Sequence, residues 1–398
     1  MSVGQEHIMD AVQQLHGGIE ESIVHPLQHG GYKARERLIS TNKYSRAFSS
    51  LHFASTQIPL LVPNSQVITG IWVNMNFPLT VNTDVLCPMA GYQAIKQIAY
   101  QCMGSTLYTQ SGRDVFHINR AMCSTKDQID ELISLGGGPA NITGVQTVQT
   151  SIWLPLPWSR LNSAWSKARY GVDTSIFETQ QLYITNDLEA TANIYITGAS
   201  NNALTFGNFR IQGLDYMDKT QRIMPLPDAF FSFPIHYYQS FQTASYTPAS
   251  ATDTQSVILT SFRKGNLVGL YLWACDDANN NGTNKFKVNE IVNMSLKFNN
   301  VSIYEESGID GRMSALQYNL TPPQFFAYNQ VNRVKEVVFS NLPPRFKPFT
   351  FNGGLNLSGQ SLDMQFQITN SVVPQKIYVI YIYDALLLYN RTQAEIVL

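Results

Sequence analysis

The chain has 398 residues, a formal net charge of -1, 12% aromatic residues and only 14% charged ones. Such a balance supplies no global field to draw in nucleic acid or an anionic membrane, and the length suits two domains that each bury a core without disulfides or metals. Many aromatics, Thr- and Asn-rich runs and few charges favour β-structure.

Residues 5–24 place Ile8, Val12, Leu15, Ile19 and Ile23 at helical spacing, which predicts an amphipathic helix that docks onto its own body, a neighbouring copy or a lipid surface. The segment Lys33–Arg46 is locally basic, broken by Glu36, and reads as a solvated arm. From Leu51 the period changes to two. Ile71, Val73, Met75 and Phe77 alternate with Trp72, Asn74 and Asn76, the pattern of a strand with one buried face. Ser124 and Asp127 form a capping box ahead of the stripe Ile129, Leu132 and Ile133, with Gly136–Gly138 ending the helix. A strand ending in WLPLPW is stopped by Pro155 and Pro157 and followed by a short helical stretch, Ser159–Arg169.

The connector around residues 221–253 carries Phe230, Phe231, Phe233, Tyr237, Tyr238 and Phe241, too many aromatics for a free linker; packing between two halves is the expected use. Val257–Phe262 and Leu267–Trp273 read as a strand pair turning at Arg263–Asn266. Val292–Phe298 and Leu362–Thr369 alternate cleanly, and Ile377–Tyr383, apolar on both faces, reads as a central strand. No signal-peptide pattern is present, and the apolar run Ile377–Tyr389 is too short to span a bilayer, so a soluble chain made in the cytoplasm is expected.

Three blocks recur in order. Ile95–Gly112 (IKQIAYQCMGSTLYTQSG) matches Ile291–Gly308 (IVNMSLKFNNVSIYEESG), with Ile95/Ile291, Tyr108/Tyr304, Ser111/Ser307 and Gly112/Gly308 identical. Val145–Pro157 matches Val331–Pro343, and Gln181–Asn186 (QLYITN) matches Gln365–Asn370 (QFQITN). The chain is therefore read as one β-unit built twice.

No constellation of catalytic residues emerges. Five of the seven histidines fall in the first 52 residues, and no HxH or HExxH spacing exists to put two imidazoles on one metal. Gly359–Asp363 (GQSLD) fails the nucleophile-elbow pattern at its last position, and the Gly136–Gly138 run has no adjoining GK[ST] to cradle a phosphate. The pairs Asp276/Asp277 and Glu305/Glu306 read as solvated turn charges, although a glycosidase-type pair elsewhere in space stays open. Cys87, Cys102, Cys123 and Cys275 form no CxxC pair and read as buried reduced thiols. No catalytic, cofactor or metal residue is assigned.

Two tandem units with strands 8 to 12 residues apart suggest jelly-roll sandwiches. Val337–Ile368 (VVFSNLPPRFKPFTFNGGLNLSGQSLDMQFQI) resembles the second-roll signature of the double jelly-roll major capsid proteins of the PRD1/adenovirus-like lineage. In that pattern a strand, a Pro-containing loop and a run such as Gly354, Leu355, Asn356, Leu357, Ser358 lead into an alternating strand. The repeated Ile95–Gly112 block is similar to the family's strand, turn and strand near the start of each roll. Gly359 stands where an arginine often follows the serine.

The resemblance implies an all-β fold of two tandem eight-stranded jelly-roll β-sandwiches with short helical insertions and an N-terminal amphipathic helix. The expected division is an arm over 1–50, a first roll over 51–222, a connector over 223–250 and a second roll over 251–398. It also implies a homotrimer forming a pseudo-hexagonal tile of an icosahedral virion, with neighbouring capsomers and minor capsid or vertex proteins as partners and an internal membrane near the N-terminal segment. The alternatives are a tandem jelly-roll carbohydrate- or receptor-binding protein, or a twin-sandwich glycan hydrolase.

Overall fold

The computed structural model describes residues 36–37, 56–59, 66–123, 126–156, 179–186, 195–197, 205–216, 231–250, 253–259, 265–276, 289, 291–306, 334–340, 354–356, 362–368, 373–390 and 392–398. The expected helices over 5–24 and Ser159–Arg169, most of the Lys33–Arg46 arm, and the capping Ser124 lie outside the described residues.

In the first half the strands are β1 (Glu36–Arg37), β2 (Thr56–Pro59), β3 (Gln66–Leu79), β4 (Val85–Leu86), β5 (Ile95–Cys102), β6 (Ser105–Gln110), β7 (Ile142–Thr143), β8 (Gln146–Leu154), β9 (Gln180–Asn186), β10 (Tyr195–Thr197) and β11 (Thr205–Tyr216). In the second they are β12 (Phe231–Gln242), β13 (Thr254–Leu259), β14 (Asn266–Asp276), β15 (Ile291–Phe298), β16 (Val301–Glu306), β17 (Lys335–Val338), β18 (Leu355–Asn356), β19 (Leu362–Ile368), β20 (Gln375–Tyr389) and β21 (Ala394–Val397). Among the described residues of the first half there are three helices: a single turn α1 (Ala90–Gln93), then α2 (Gly112–Met122) and α3 (Lys126–Leu135).

The sheet orders state the duplication. One sheet runs β1-β11-β3-β8 and its counterpart β12-β20-β14-β17; the facing sheets run β2-β9-β5-β6 and β13-β19-β15-β16. In both halves eight strands are shared between two sheets in the same chain order, so each half is a sandwich of the same topology. Every pairing in these sheets is antiparallel. β1 falls in the residues expected to form an arm and β12 in those expected to form a connector.

The hairpins β5–β6 and β15–β16 repeat even in their defects. Both turn through two residues at positive φ, Met103 and Gly104 (52° and 78°) in one and Asn299 and Asn300 (52° and 64°) in the other, the geometry that matches the right-handed strand twist. Both then bulge. Tyr100 opposes Tyr108 while Gln101 opposes Thr106, leaving Leu107 extra; Leu296 opposes Tyr304 while Lys297 opposes Ser302, leaving Ile303 extra. The third sequence match is corrected in register. Tyr100 pairs with Leu182 and Leu296 with Met364, so Leu182 corresponds to Met364, two residues from the alignment of QLYITN with QFQITN. A slip of two preserves the inward and outward faces, so pattern alone could not detect it.

A second correction concerns Val257–Phe262 and Leu267–Trp273, which are not a hairpin. β13 pairs with β19 and β14 with β20 and β17, so the chain crosses from one sheet to the other between them. Alternating burial seats Ile71, Val73, Met75, Phe77, Ile98, Tyr100, Leu182 and Ile184 in the first core and Leu270, Leu272, Met294, Leu296, Met364 and Phe366 in the second. Full burial of each such side chain contributes roughly 1.5–3 kcal/mol. Strand β8 stops at Leu154, just before Pro155, as its proline requires.

Candidate functional site at the seam between the two sandwiches

β14 and β20 are buried on both faces, and α2 is the reason. Alternate residues Leu270, Leu272, Ala274, Val379 and Tyr381 face the second core, while Tyr271, Trp273, Cys275, Ile380 and Ile382 pack on the opposite face with Ile118 and Met122 of α2. A helix from the first sandwich thus seals the outer face of a sheet of the second. The far end of β20 goes further: Ala385, Leu387 and Tyr389, with Ile235 of β12 and Ala394 of β21, belong to the first core. Tyr238 of β12 is buried in the α2 cluster, so this aromatic of the expected connector packs within a strand at the seam.

Helix α2 starts at a reciprocal capping box. Ser111 accepts from the Asp114 backbone N–H at 3.2 Å, and the Asp114 carboxylate accepts from the Ser111 backbone N–H at 3.3 Å and the Ser111 hydroxyl at 2.8 Å. Gly112 is required there, because a Cβ would sit 2.0 Å from the carbonyl oxygen of Tyr92. The sequence signal for this helix was Ser111 followed by Asp114 and the spacing Val115, Ile118, Met122. It was masked by Arg113, His117, Asn119 and Arg120, which read as a solvated face yet are buried.

Three of these polar side chains, Arg113, His117 and Asn119, make contacts at the seam. The guanidinium carbon of Arg113 lies 4.4 Å above the ring of Tyr378, Tyr378 stacks on Trp273 (5.7 Å, 10°), and Trp273 meets His117 at 4.1 Å between centroids. Asn119 donates to the Trp153 carbonyl at 2.8 Å, tying the helix to β8. Across the seam, Gln110 donates to the Tyr238 carbonyl at 2.9 Å and accepts from the Ser240 hydroxyl at 2.5 Å. Burial lowers the His117 pKa well below its usual value, with Arg120 and Arg113 adding repulsion, and pushes Arg120 down to about 9. Burial raises that of Asp114, against hydrogen bonds from Ser111 and Ser240 and the nearby Arg113.

The other sequence candidates resolve into structural roles. Gly136–Gly138 close α3 as a Schellman cap: Gly137 has φ 114°, Gly138 donates to Ile133 and Gly137 to Ser134. Asp276 ends β14 and accepts from Asn289 and Gln375, both at 2.5 Å. Glu305 and Glu306 are strand residues rather than turn residues, and Glu306 pairs with Lys335 and accepts from Tyr304. All four cysteines are buried free thiols, and burial holds Cys123 up at about 12 and Cys275 at about 11. His236 in β12 faces Asp384 in β20 at 3.3 Å. Among the described residues no group of three or more His, Cys, Asp or Glu side chains is placed to hold a metal ion, and no helix is long and apolar enough to cross a membrane. The arrangement can join two sandwiches rigidly.

No protein-family profile and no curated protein matches the sequence. Solved structures do match. PBCV-1 VP54, in a crystal structure fitted into a cryo-EM reconstruction of the virophage Sputnik, shares 12% identity with a TM-score of 0.64 over 90% of this chain and 97% of that one. The Faustovirus major capsid protein shares 9% with a TM-score of 0.56 over 97% of both chains. A chain of the Sputnik virophage cryo-EM structure shares 12% with a TM-score of 0.54 over 94% and 92%. The fold is the double jelly roll. In this chain the α2 seam is what joins the two sandwiches. The match spans nearly the full length of the chain, so both rolls and their junction take part in it.

Proposed function

We propose that this chain is a major capsid protein whose double jelly roll forms homotrimeric, pseudo-hexagonal capsomers of an icosahedral virion. What carries the reading is the eight-strand order repeated in both halves, within a body whose likeness to a major capsid protein covers 97% of both chains. Physical features agree with it. A tile must be stiff, and the α2 seam locks the rolls through aromatic stacking and paired polar groups. A tile must also approach its copies closely, which a net charge of -1 permits.

The division into an arm over 1–50, rolls over 51–222 and 251–398 and a connector over 223–250 belongs to this proposal, with β1 and β12 adding edge strands from the arm and the connector. So do neighbouring capsomers and minor capsid or vertex proteins as partners, contact of the N-terminal segment with an internal membrane, synthesis in the host cytoplasm, and the absence of an enzymatic role. Light scattering on purified protein tests the core of it, with a mass of three 44.7 kDa chains expected. A monomer with glycan affinity would favour a carbohydrate-binding protein instead. Deleting residues 1–30 should leave soluble trimers that assemble shells poorly; normal particles from the truncated chain would remove the arm from the proposal.

A further inference from the structure

Asp384 of β20 occupies the position at which that strand passes from one core to the other. Its neighbour Tyr383 belongs to the second core and Ala385 to the first. On β12 the opposing His236 lies between Ile235, in the first core, and Tyr237, which packs against both. A polar row crosses three strands there. His236 opposes Asp384 in the β12–β20 ladder, and Asn266 opposes it in the β14–β20 ladder. His236 Nε2 lies 3.3 Å from Asp384 Oδ1, and Asn266 Nδ2 donates to Oδ2 at 3.3 Å. Both carboxylate oxygens thus face nitrogen donors, the acceptor-only pattern of an anion. The pair is deeply buried, with His236 2% and Asp384 5% exposed.

A buried ion pair is seldom more stabilising than two apolar side chains of like size. Packing alone therefore does not call for one between the rows Ile235–Ala385 and Tyr237–Tyr383. What a histidine–carboxylate pair adds is a response to protons. We propose that His236 and Asp384 form a proton-operated lock between β12 and β20, closed while His236 is protonated and released as it loses its proton. The lock is a property of the single chain and stands apart from the capsid reading.

The direction of the response follows from the partner. A carboxylate gained on folding makes the imidazole hold its proton more tightly than in the unfolded chain, where it titrates near about 6.5. The contribution is complete below that value and is lost as pH rises through the higher folded one. His117, at the same seam, behaves oppositely because burial and two arginines oppose its charge. Its window lies below about 6.5 and that of His236 above. The other charged groups packed onto this face of the sheet come from α2, namely Arg113, Asp114, His117 and Arg120. Arg113 and His117 are held at Tyr378 and Trp273, and Tyr378 lies six residues from Asp384 along β20, about 20 Å at the rise of a strand. β21 brings Glu395, which is exposed and opposes Leu388. Tyr238 of β12, Tyr271 of β14 and Tyr108 of β6 are phenols, a group that ordinarily titrates near about 10, outside this window.

Deuterium uptake at the imidazole C2 position, read by mass spectrometry on the peptide that contains His236, follows its titration in the native protein. A midpoint above about 6.5 is expected. A midpoint at or below that value overturns the lock and leaves the imidazole a neutral donor to the carboxylate. Urea unfolding of the native chain, His236→Gln, Asp384→Asn and the double variant gives the coupling between the two residues, taken near about pH 5.5 and about pH 8.5 to bracket the window. Expressed as a ratio of unfolding constants, the coupling should be larger at the lower pH, by about tenfold for each unit that pairing raises the imidazole. Equal couplings, or a larger one at the higher pH, overturn the proposal. Should a variant fail to fold, the deuterium titration of the native protein decides alone, and neither readout depends on the trimer mass that decides the capsid reading.

Discussion

The imidazole of His117 lies 4.1 Å from the indole of Trp273, centroid to centroid, so a first-roll helix and a second-roll strand meet through two aromatic faces. Trp273 also stacks on Tyr378 and is fully buried. Trp273→Ala should therefore loosen the seam from both sides, costing about 3–5 kcal/mol. Urea denaturation of the purified protein measures it. A loss below about 1 kcal/mol, the size of an ordinary surface change, would mean that the helix does not hold the rolls together.

The same contact gives the protein a pH dependence. His117 titrates well below its ordinary value of 6.5 in the folded chain, because burial first, then Arg120 and Arg113, oppose its charge. The unfolded chain thus binds more protons between the two pKa values, and stability rises with pH through that window and levels off above about 6.5. Asp114 works in the opposite direction, since its folded pKa is raised above 3.8 and its contribution falls as pH climbs from there. Subtracting the stability curve of His117→Gln from that of the native protein isolates the histidine. The difference should slope upward by at most about 1.4 kcal/mol per pH unit below 6.5; a flat difference would mean the imidazole is hydrated.

How much of this was readable without coordinates follows from what each signal measures. Alternation reports burial on one face, so β3, β15 and β19 were legible from Ile71, Leu296 and Met364 and their neighbours. It says nothing of which strand is adjacent, and so the crossing between β13 and β14 was mistaken for a turn. Nor does it fix register beyond parity, hence the two-residue slip at Leu182 and Met364. The Ile377–Tyr383 stretch of β20 was legible as central because an apolar residue at every position admits no exposed face. What covered its outer face was hidden, since α2 buries Arg113, His117 and Arg120, residue types that announce solvent. The seam was foreshadowed only by the aromatics near Tyr238.

Two glycines separate space from backbone conformation. At Gly112 a Cβ would meet the Tyr92 carbonyl oxygen at 2.0 Å, a backbone atom that cannot swing aside. Gly112→Ala should cost at least 1–3 kcal/mol, roughly the range for overpacking, and drop the yield of folded protein. Gly104, at φ 78° with open space around it, loses only the left-handed preference, about 1–2 kcal/mol. Thermal unfolding of the two alanine variants should rank Gly112 as the more damaging. The reverse order would show that the α2 start shifts to make room.

Phe366 tests the second core. It stands inward on β19 between Met364 and Ile368, fully buried, with its ring edge against Tyr246 at 5.5 Å. Phe366→Asp puts a carboxylate into the hydrophobic cluster that holds Met294, Leu296 and Met364 and against which Tyr246 packs. Burying it ionised costs several kcal/mol, and protonating it instead still forfeits the aromatic packing. That loss is a large share of the roughly 5–15 kcal/mol that holds a domain folded. The variant should accumulate as insoluble protein, while Gln365→Asp, one residue away on the exposed face, should remain soluble with the native mass. A soluble Phe366→Asp protein of native mass would mean that β19 presents its other face to the core.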